Sequence, residues 1–221
     1  MEVHFVRTAG SVDGVDKLVF AGIYAIVDRS LTREPIALLE AILASGVRVV
    51  QYRAKDGVEG EVLRAMLERT RVRGAVLIVN DDFDAALEAD GWHAGQEDLA
   101  DRDVRELRAR LGSRLFGVSC GVPDEARAAE AAGADYVGVG PFAATVTKPD
   151  AGPAIGAAGV RAVVAATSVP VVAIGGIDAG NLADVVQSGA AMAAIVSALA
   201  RAADPRAAAT ELVQRWNALV P

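Results

Sequence analysis

A single cysteine, Cys120, stands in 221 residues. One thiol excludes an intrachain disulfide framework and fits a reducing compartment. Aromatic residues make up only 5%, so Ala, Val, Leu and Ile must do most of the packing. No apolar stretch approaches the ~20 residues that a membrane span needs. Met1 to Lys17 lacks a basic segment followed by a long apolar run, so a secretory signal is not expected there. Basic residues are outnumbered, with 22 Lys and Arg against 29 Asp and Glu and a net charge of −7. That balance argues against nucleic acid as a partner, because phosphate backbones need basic stripes. An anionic small molecule stays open, since a pocket can be locally positive or hold a metal. The expectation is a soluble cytoplasmic protein with small-molecule partners. Association with further copies of itself is left open.

What is present is a rhythm. Hydrophobic residues reach 52%, enough for a sizeable core. From Ala21 onward, short β-branched runs alternate with segments of helical spacing. The runs are Ile23–Val27, Val47–Arg53, Ala75–Asn80, Gly91–Gly95, Leu115–Cys120, Tyr136–Gly140, Val171–Gly176 and Ala191–Ser197. Helical spacing fills the intervals, among them Ile36–Leu43, Glu61–Arg71, Asp84–Glu88, Val104–Leu111, Asp124–Ala132, Ala158–Ala166, Leu182–Gln187 and Arg206–Leu219. Pro123-Asp124 and Asp204-Pro205 punctuate helix starts, and Gly133 follows a helix end. Roughly 25 residues per strand–helix unit suit a compact (β/α)8 TIM barrel. The alternative is an open doubly wound sheet; regular units without a central break favour closure, which removes both edges. Residues 1–19 read as an N-terminal extension or cap, and residues 20–221 as one catalytic domain.

Barrel enzymes build their sites at the carboxyl ends of the strands, so those ends direct the search. Strand two ends in Gln51-Tyr52-Arg53-Ala54-Lys55. Alternation points Gln51 and Arg53 the same way, with Lys55 just beyond. Such a set suits a diphosphate; an interior ion pair plus a solvated lysine is the competing explanation. Strand three ends in Asn80-Asp81-Asp82, and strand four in His93-Ala94-Gly95-Gln96-Glu97-Asp98. Asp81 and Asp98 could supply the carboxylates that Mg²⁺ takes alongside waters and phosphate oxygens. Helix N-capping would equally explain Asp81 and Asp82. His93 reads as a structural histidine rather than a metal ligand. A long loop after strand six carries Thr145, Val146, Thr147 and Lys148 between proline and glycine breakers, and a loop of that length calls for a reason. Gly175-Gly176 and Val196-Ser197 end strands seven and eight, where barrels often bind phosphate through backbone N–H groups. Cys120 reads as a small buried residue.

Taken in order, QYRAK, ND, HAGQED, GVS, TVTK, AIGGI and VS resemble the thiamine-phosphate synthase family over about residues 20 to 200. The resemblance implies condensation of hydroxymethylpyrimidine diphosphate with hydroxyethylthiazole phosphate, giving thiamine phosphate and diphosphate. It implies that Gln51, Arg53, Lys55, Asn80, Ser119 and Lys148 hold the pyrimidine diphosphate, and that Asp81 and Asp98 hold Mg²⁺. Thr145, Val146, Thr147, Gly176, Val196 and Ser197 would surround the thiazole phosphate. Three features depart from the pattern: Cys120-Gly121 after Ser119, the bulky Trp92, and the unmatched N-terminal extension. Competing readings are a thiazole tautomerase-like paralogue, another phosphate-binding barrel, and a non-catalytic barrel that binds a thiamine precursor.

Overall fold

Parallel strands cannot be joined by tight turns, so each strand must be followed by a crossover, and here every crossover is helical. The computed structural model describes residues 20–145, 147 and 152–220. The extension expected over residues 1–19 therefore lies outside the described residues. Chain order is β1 (Gly22–Asp28), α1 (Pro35–Ala44), β2 (Val49–Arg53), α2 (Gly60–Val72), β3 (Val76–Asn80), α3 (Phe83–Ala86) and β4 (Gly91–Ala94). Two helices, α4 (Gln96–Leu99) and α5 (Val104–Leu111), lead to β5 (Leu115–Cys120). Then come α6 (Pro123–Ala131), β6 (Tyr136–Val139), α7 (Gly156–Val164), β7 (Val171–Ile174), α8 (Leu182–Gln187), β8 (Met192–Ile195), α9 (Ser197–Ala200) and α10 (Pro205–Leu219). The eight strands pair in sequence order, all parallel, and β8 pairs back onto β1 to close the barrel. No helix among the described residues is long and apolar enough to cross a membrane.

Alternation along each strand divides the apolar residues into two layers. Outward-facing Ala25, Val27, Val50, Tyr52, Leu77, Val79 and Trp92 pack under the helices in the larger cluster. Inward-facing Tyr24, Ile26, Val49, Ile78, Tyr136, Val172, Met192 and Ala194 fill the lumen, with Phe20 stacked on Tyr136 below them at 4.9 Å between centroids. The helix starts follow local chemistry: Pro123 and Pro205 occupy the first turns of α6 and α10, and Asp204 accepts a hydrogen bond from the Ala207 N–H at 2.9 Å.

The structure trims several runs and adds two one-turn helices. Runs expected to extend to Gly176 and Ser197 end at Ile174 and Ile195. Gly175 and Gly176 adopt φ of +97° and +63° and leave the extended ladder, while Ser197 opens α9. Helices α4 and α9 have four residues each, too short to show a period.

Glycine shapes the lumen as well. Gly117 on β5 faces Tyr136 on β6 across the ladder, and a Cβ at Gly117 would fall inside the Tyr136 ring. Gly117→Ala should therefore overpack the lumen and cost about 1–3 kcal/mol. Urea denaturation of the variant and the parent measures it, and an unchanged midpoint would mean that the ring has room to move.

Candidate functional site

Above the lumen layer, the carboxyl ends of the strands enclose a cavity of about 420 Å³. Gln51, Arg53, Lys55, Asn80, Asp81, Asp98 and Ser119 all line it, as do Thr145, Thr147, Gly176, Val196 and Ser197. Val146 and Lys148 lie outside the described residues. The barrel order separates this set into two ends. Strands β2 to β4 bring the basic and acidic side chains, and β7 and β8 lie across the ring from β3 and β4.

Asp28 closes β1 and is buried, and its carboxylate takes the Arg53 guanidinium at 2.5 Å. Its other oxygen accepts from the Ser30 backbone N–H and hydroxyl at 2.9 and 2.6 Å. Arg53 is thus aimed by an ion pair and still lines the cavity, so the competing interior-pair explanation and the binding role meet in one residue. Asp28 was missed from the sequence. The rule applied to the other strand ends would have found it, since it directly follows the Ile23–Val27 run.

The carboxylates of β3 divide their labour. Asp82 caps α3 by accepting from the Ala85 N–H at 3.0 Å. Asp81 has φ of +62°, a conformation that Asp tolerates better than most residues. Its backbone is clamped by consecutive residues of β4: its N–H donates to the His93 carbonyl at 3.0 Å, and its carbonyl accepts from Trp92 Nε1 at 3.1 Å. Trp92 itself points outward and stacks on Phe116. The Asp81 carboxyl is pushed up to about 6, by burial first and then by the charge and hydrogen bonding of Asp98, against the opposing pull of Arg53 and Lys55. Asp98 Oδ2 also accepts from the Gly95 N–H at 2.7 Å, which ties it to the start of α4.

At the far end, the glycine pair has a packing duty. Phe142 N–H donates to the Ile174 carbonyl at 2.8 Å and Ala143 N–H to the Gly175 carbonyl at 2.9 Å, docking the loop after β6 against β7. A Cβ at Gly176 would lie 2.6 Å from the Ala144 carbonyl oxygen. Ser197 occupies the first position of α9, where backbone N–H groups lack partners within the helix. No charged side chain lines the cavity from β7 or β8 among the described residues.

A line of hydrogen bonds crosses the cavity floor. Gln51 Nε2 donates to Tyr24 Oη at 2.9 Å, Tyr24 Oη meets Tyr136 Oη at 2.9 Å, Tyr136 Oη meets His93 Nδ1 at 2.9 Å, and His93 Nε2 meets Ser119 Oγ at 3.0 Å. Tyr24 and Tyr136 escaped the sequence reading because they sit one or two side-chain layers below the strand ends. Beside Ser119, the buried Cys120 thiol is pushed up to about 12, chiefly by burial. Among the described residues, no three or more His, Cys, Asp and Glu side chains converge as a metal cluster.

Burial pushes His93 down to about 4 from 6.5. Below pH 6.5 the unfolded chain takes up a proton at this ring that the folded chain refuses until about pH 4, so stability falls as the pH drops through that window. The loss attributable to His93 should reach about 2 kcal/mol at pH 5. Urea denaturation at pH 7 and pH 5 should show a smaller drop for His93→Gln than for the parent by that amount; equal drops would mean that the ring is protonated in the fold.

The thiamine monophosphate synthase family model matches residues 23–199. A thiamine-phosphate synthase of Chloroflexus aurantiacus is 45% identical over 197 residues, covering 86% of this chain and 90% of that protein. One from Moorella thermoacetica is 45% identical over 198 residues, covering 86% and 93%. Among solved structures, a thiamine phosphate pyrophosphorylase from Pyrococcus furiosus superposes with a TM-score of 0.82 at 31% identity, covering 92% of this chain and 98% of that one. With the match extending over all eight strands, the chain belongs to the thiamine monophosphate synthase family.

Proposed function

We propose that the chain is a thiamine-phosphate synthase, a transferase that joins hydroxymethylpyrimidine diphosphate to hydroxyethylthiazole phosphate in the cytoplasm. The observation that carries this reading is the asymmetry of the cavity. Arg53 and Lys55 flank the adjoining carboxylates Asp81 and Asp98 at one end, and uncharged backbone from β7 and β8 forms the other. A diphosphate with a divalent cation suits the first end, and a monophosphate suits the second.

The donor set fits Mg²⁺. It is made of oxygen and has two carboxylates, and the Asp81 carboxyl is raised first by burial and then by the neighbouring Asp98. Asp81 and the Asp98 oxygen not engaged by Gly95 would hold the ion. Bound there, Mg²⁺ would supply positive charge to the diphosphate as it leaves. Arg53, held by Asp28, and Lys55 would bind the diphosphate oxygens from the protein side together with Asn80, and the family resemblance gives Lys148 the same role. Gln51 and Ser119 would orient the pyrimidine, and Thr145, Val146, Thr147, Gly176, Val196 and Ser197 the thiazole phosphate.

The bond broken is carbon–oxygen, and its electron pair departs with the diphosphate. The aminopyrimidine ring releases electrons into its methylene carbon, which favours a dissociative path. The thiazole nitrogen then forms the new carbon–nitrogen bond with its own lone pair, so no general base is required. That agrees with His93, whose two ring nitrogens are both engaged, and with Cys120, whose thiol stays protonated.

Incubation with both substrates and Mg²⁺ should yield thiamine phosphate and diphosphate in equal amounts, and chelation should abolish both; no product with metal present would overturn the reading. Asp81→Ala and Asp98→Ala should each lower turnover by at least ~10²-fold while remaining folded. Unchanged turnover in both would remove the metal assignment. Ser197→Asp separates the two ends. Asp is compatible with the first turn of a helix, yet its charge would face the thiazole phosphate, raising that KM by about 30-fold, or roughly 2 kcal/mol after screening. The KM for the pyrimidine diphosphate should change only a few-fold. Steady-state kinetics with each substrate varied in turn decides it, and equal rises would place the phosphate at the wrong end.

A further inference from the structure

The line across the cavity floor joins side chains from five different strands, β2, β1, β6, β4 and β5, without a gap. Each hydroxyl in it has one proton, and a neutral imidazole has one N–H and one lone pair. The protons can therefore be ordered in three ways. In one, Tyr24 and His93 Nδ1–H both donate to Tyr136 and Ser119 donates to His93 Nε2, which leaves the proton of the fully buried Tyr136 without an acceptor in the line. Two orders remain. In the first, the Gln51 amide donates to Tyr24, Tyr24 to Tyr136, Tyr136 to His93 Nδ1, and His93 Nε2–H to Ser119. The Ser119 proton is then left over for the cavity. In the second, every bond runs backwards: Ser119 donates to His93 Nε2, His93 Nδ1–H to Tyr136, and Tyr136 to Tyr24. In the amide orientation found here, the Tyr24 proton would then point at Gln51 Nε2, which has only protons to offer. Tyr24 is buried at 2% exposure, and buried donors are rarely left without acceptors.

We infer that the line runs one way, from Gln51 to Ser119, so that Tyr24, Tyr136 and His93 act as positioning residues that make Ser119 a hydrogen-bond donor to the ligand. His93 is the decisive relay, because it must be the Nε2–H tautomer for the order to pass from Tyr136 to Ser119. Gly117 and Gly138 make room for the relay: a Cβ at Gly117 would occupy the Tyr136 ring, and one at Gly138 would lie 3.3 Å from His93 Cε1. The consequence is electrostatic. Diphosphate oxygens and a pyrimidine ring nitrogen can only accept. A Ser119 proton directed at them attracts, whereas the reversed order would present oxygen lone pairs to an anion. This consequence for Ser119 rests on the synthase reading above; the tautomer of His93 does not.

The sequence contains only two histidines, His4 and His93, so ¹⁵N-histidine NMR of ligand-free protein in a His4→Gln background observes one ring. At neutral pH, Nδ1 should resonate at the pyridine-like end and Nε2 at the pyrrole-like end of the imidazole range. The opposite pattern, or an averaged pair, overturns the proposal, and no substitution within the line is needed to see it. A double-mutant cycle reads the consequence. Tyr136→Phe should lower kcat/KM for the pyrimidine diphosphate about tenfold in the parent, the scale of one hydrogen bond to a charged group. In a Ser119→Ala background the same change should cost less than about twofold, because the residue through which it acts is gone. Equal losses in both backgrounds overturn the coupling. If no thiamine phosphate forms at all, the synthase reading falls while the NMR result still decides the order of the line.

Discussion

A closed parallel barrel must fill its lumen with side chains that all approach from the wall, and little else in this molecule is as restrictive. The inward positions of eight strands meet over a small cross-section. They cannot all be large, and they cannot all be apolar if a polar site is to stand on top of them. The chain resolves this with tyrosines and one histidine, whose rings fill volume and whose polar atoms find one another. Glycines opposite them give way. The floor is therefore both packing and polar network, and its stability depends on every member having a partner.

The upper rim obeys a different logic. Two carboxyl groups meet there, hydrogen-bonded to one another and anchored to the backbone around them. Asp81 is gripped by two successive residues of β4, and Asp98 is tied to the first turn of α4. Burial and the neighbouring Asp98 together hold the Asp81 carboxyl above the usual carboxylate range. Asp28 performs the complementary task for Arg53, keeping a guanidinium that would otherwise be solvated pointed across the strand ends. Both arrangements hold these groups in place from within the fold.

Much of this was legible in the sequence because alternation and strand ends carry strong signals. Gln51, Arg53, Lys55, Asn80, Asp81 and Asp98 stand at or just past the ends of β-branched runs, Ser119 follows from the family resemblance alone, and the structure brings all of them to one cavity. The eight-fold rhythm gave closure, since a ring of parallel strands needs nothing beyond repeated units. What escaped has a physical reason. Helices α4 and α9 have one turn each and follow directly on β4 and β8, so their residues read as continuations of those strands. Tyr24 and Tyr136 look like ordinary core aromatics until their hydroxyls are seen to meet across 112 residues of sequence. Asp82 and Asp81 are chemically identical neighbours, and only the left-handed turn at Asp81 assigns one to capping and the other to the cavity.

The buried thiol of Cys120 has a practical side. Burial pushes it up to about 12, which keeps it a thiol at neutral pH. Since it is also the sole cysteine of the chain, the protein offers maleimides and other sulfhydryl reagents almost nothing to attack. A cysteine introduced at any exposed position would be the one fast-reacting thiol, so fluorophores or spin labels can be attached site by site without first removing a native residue from beside the cavity.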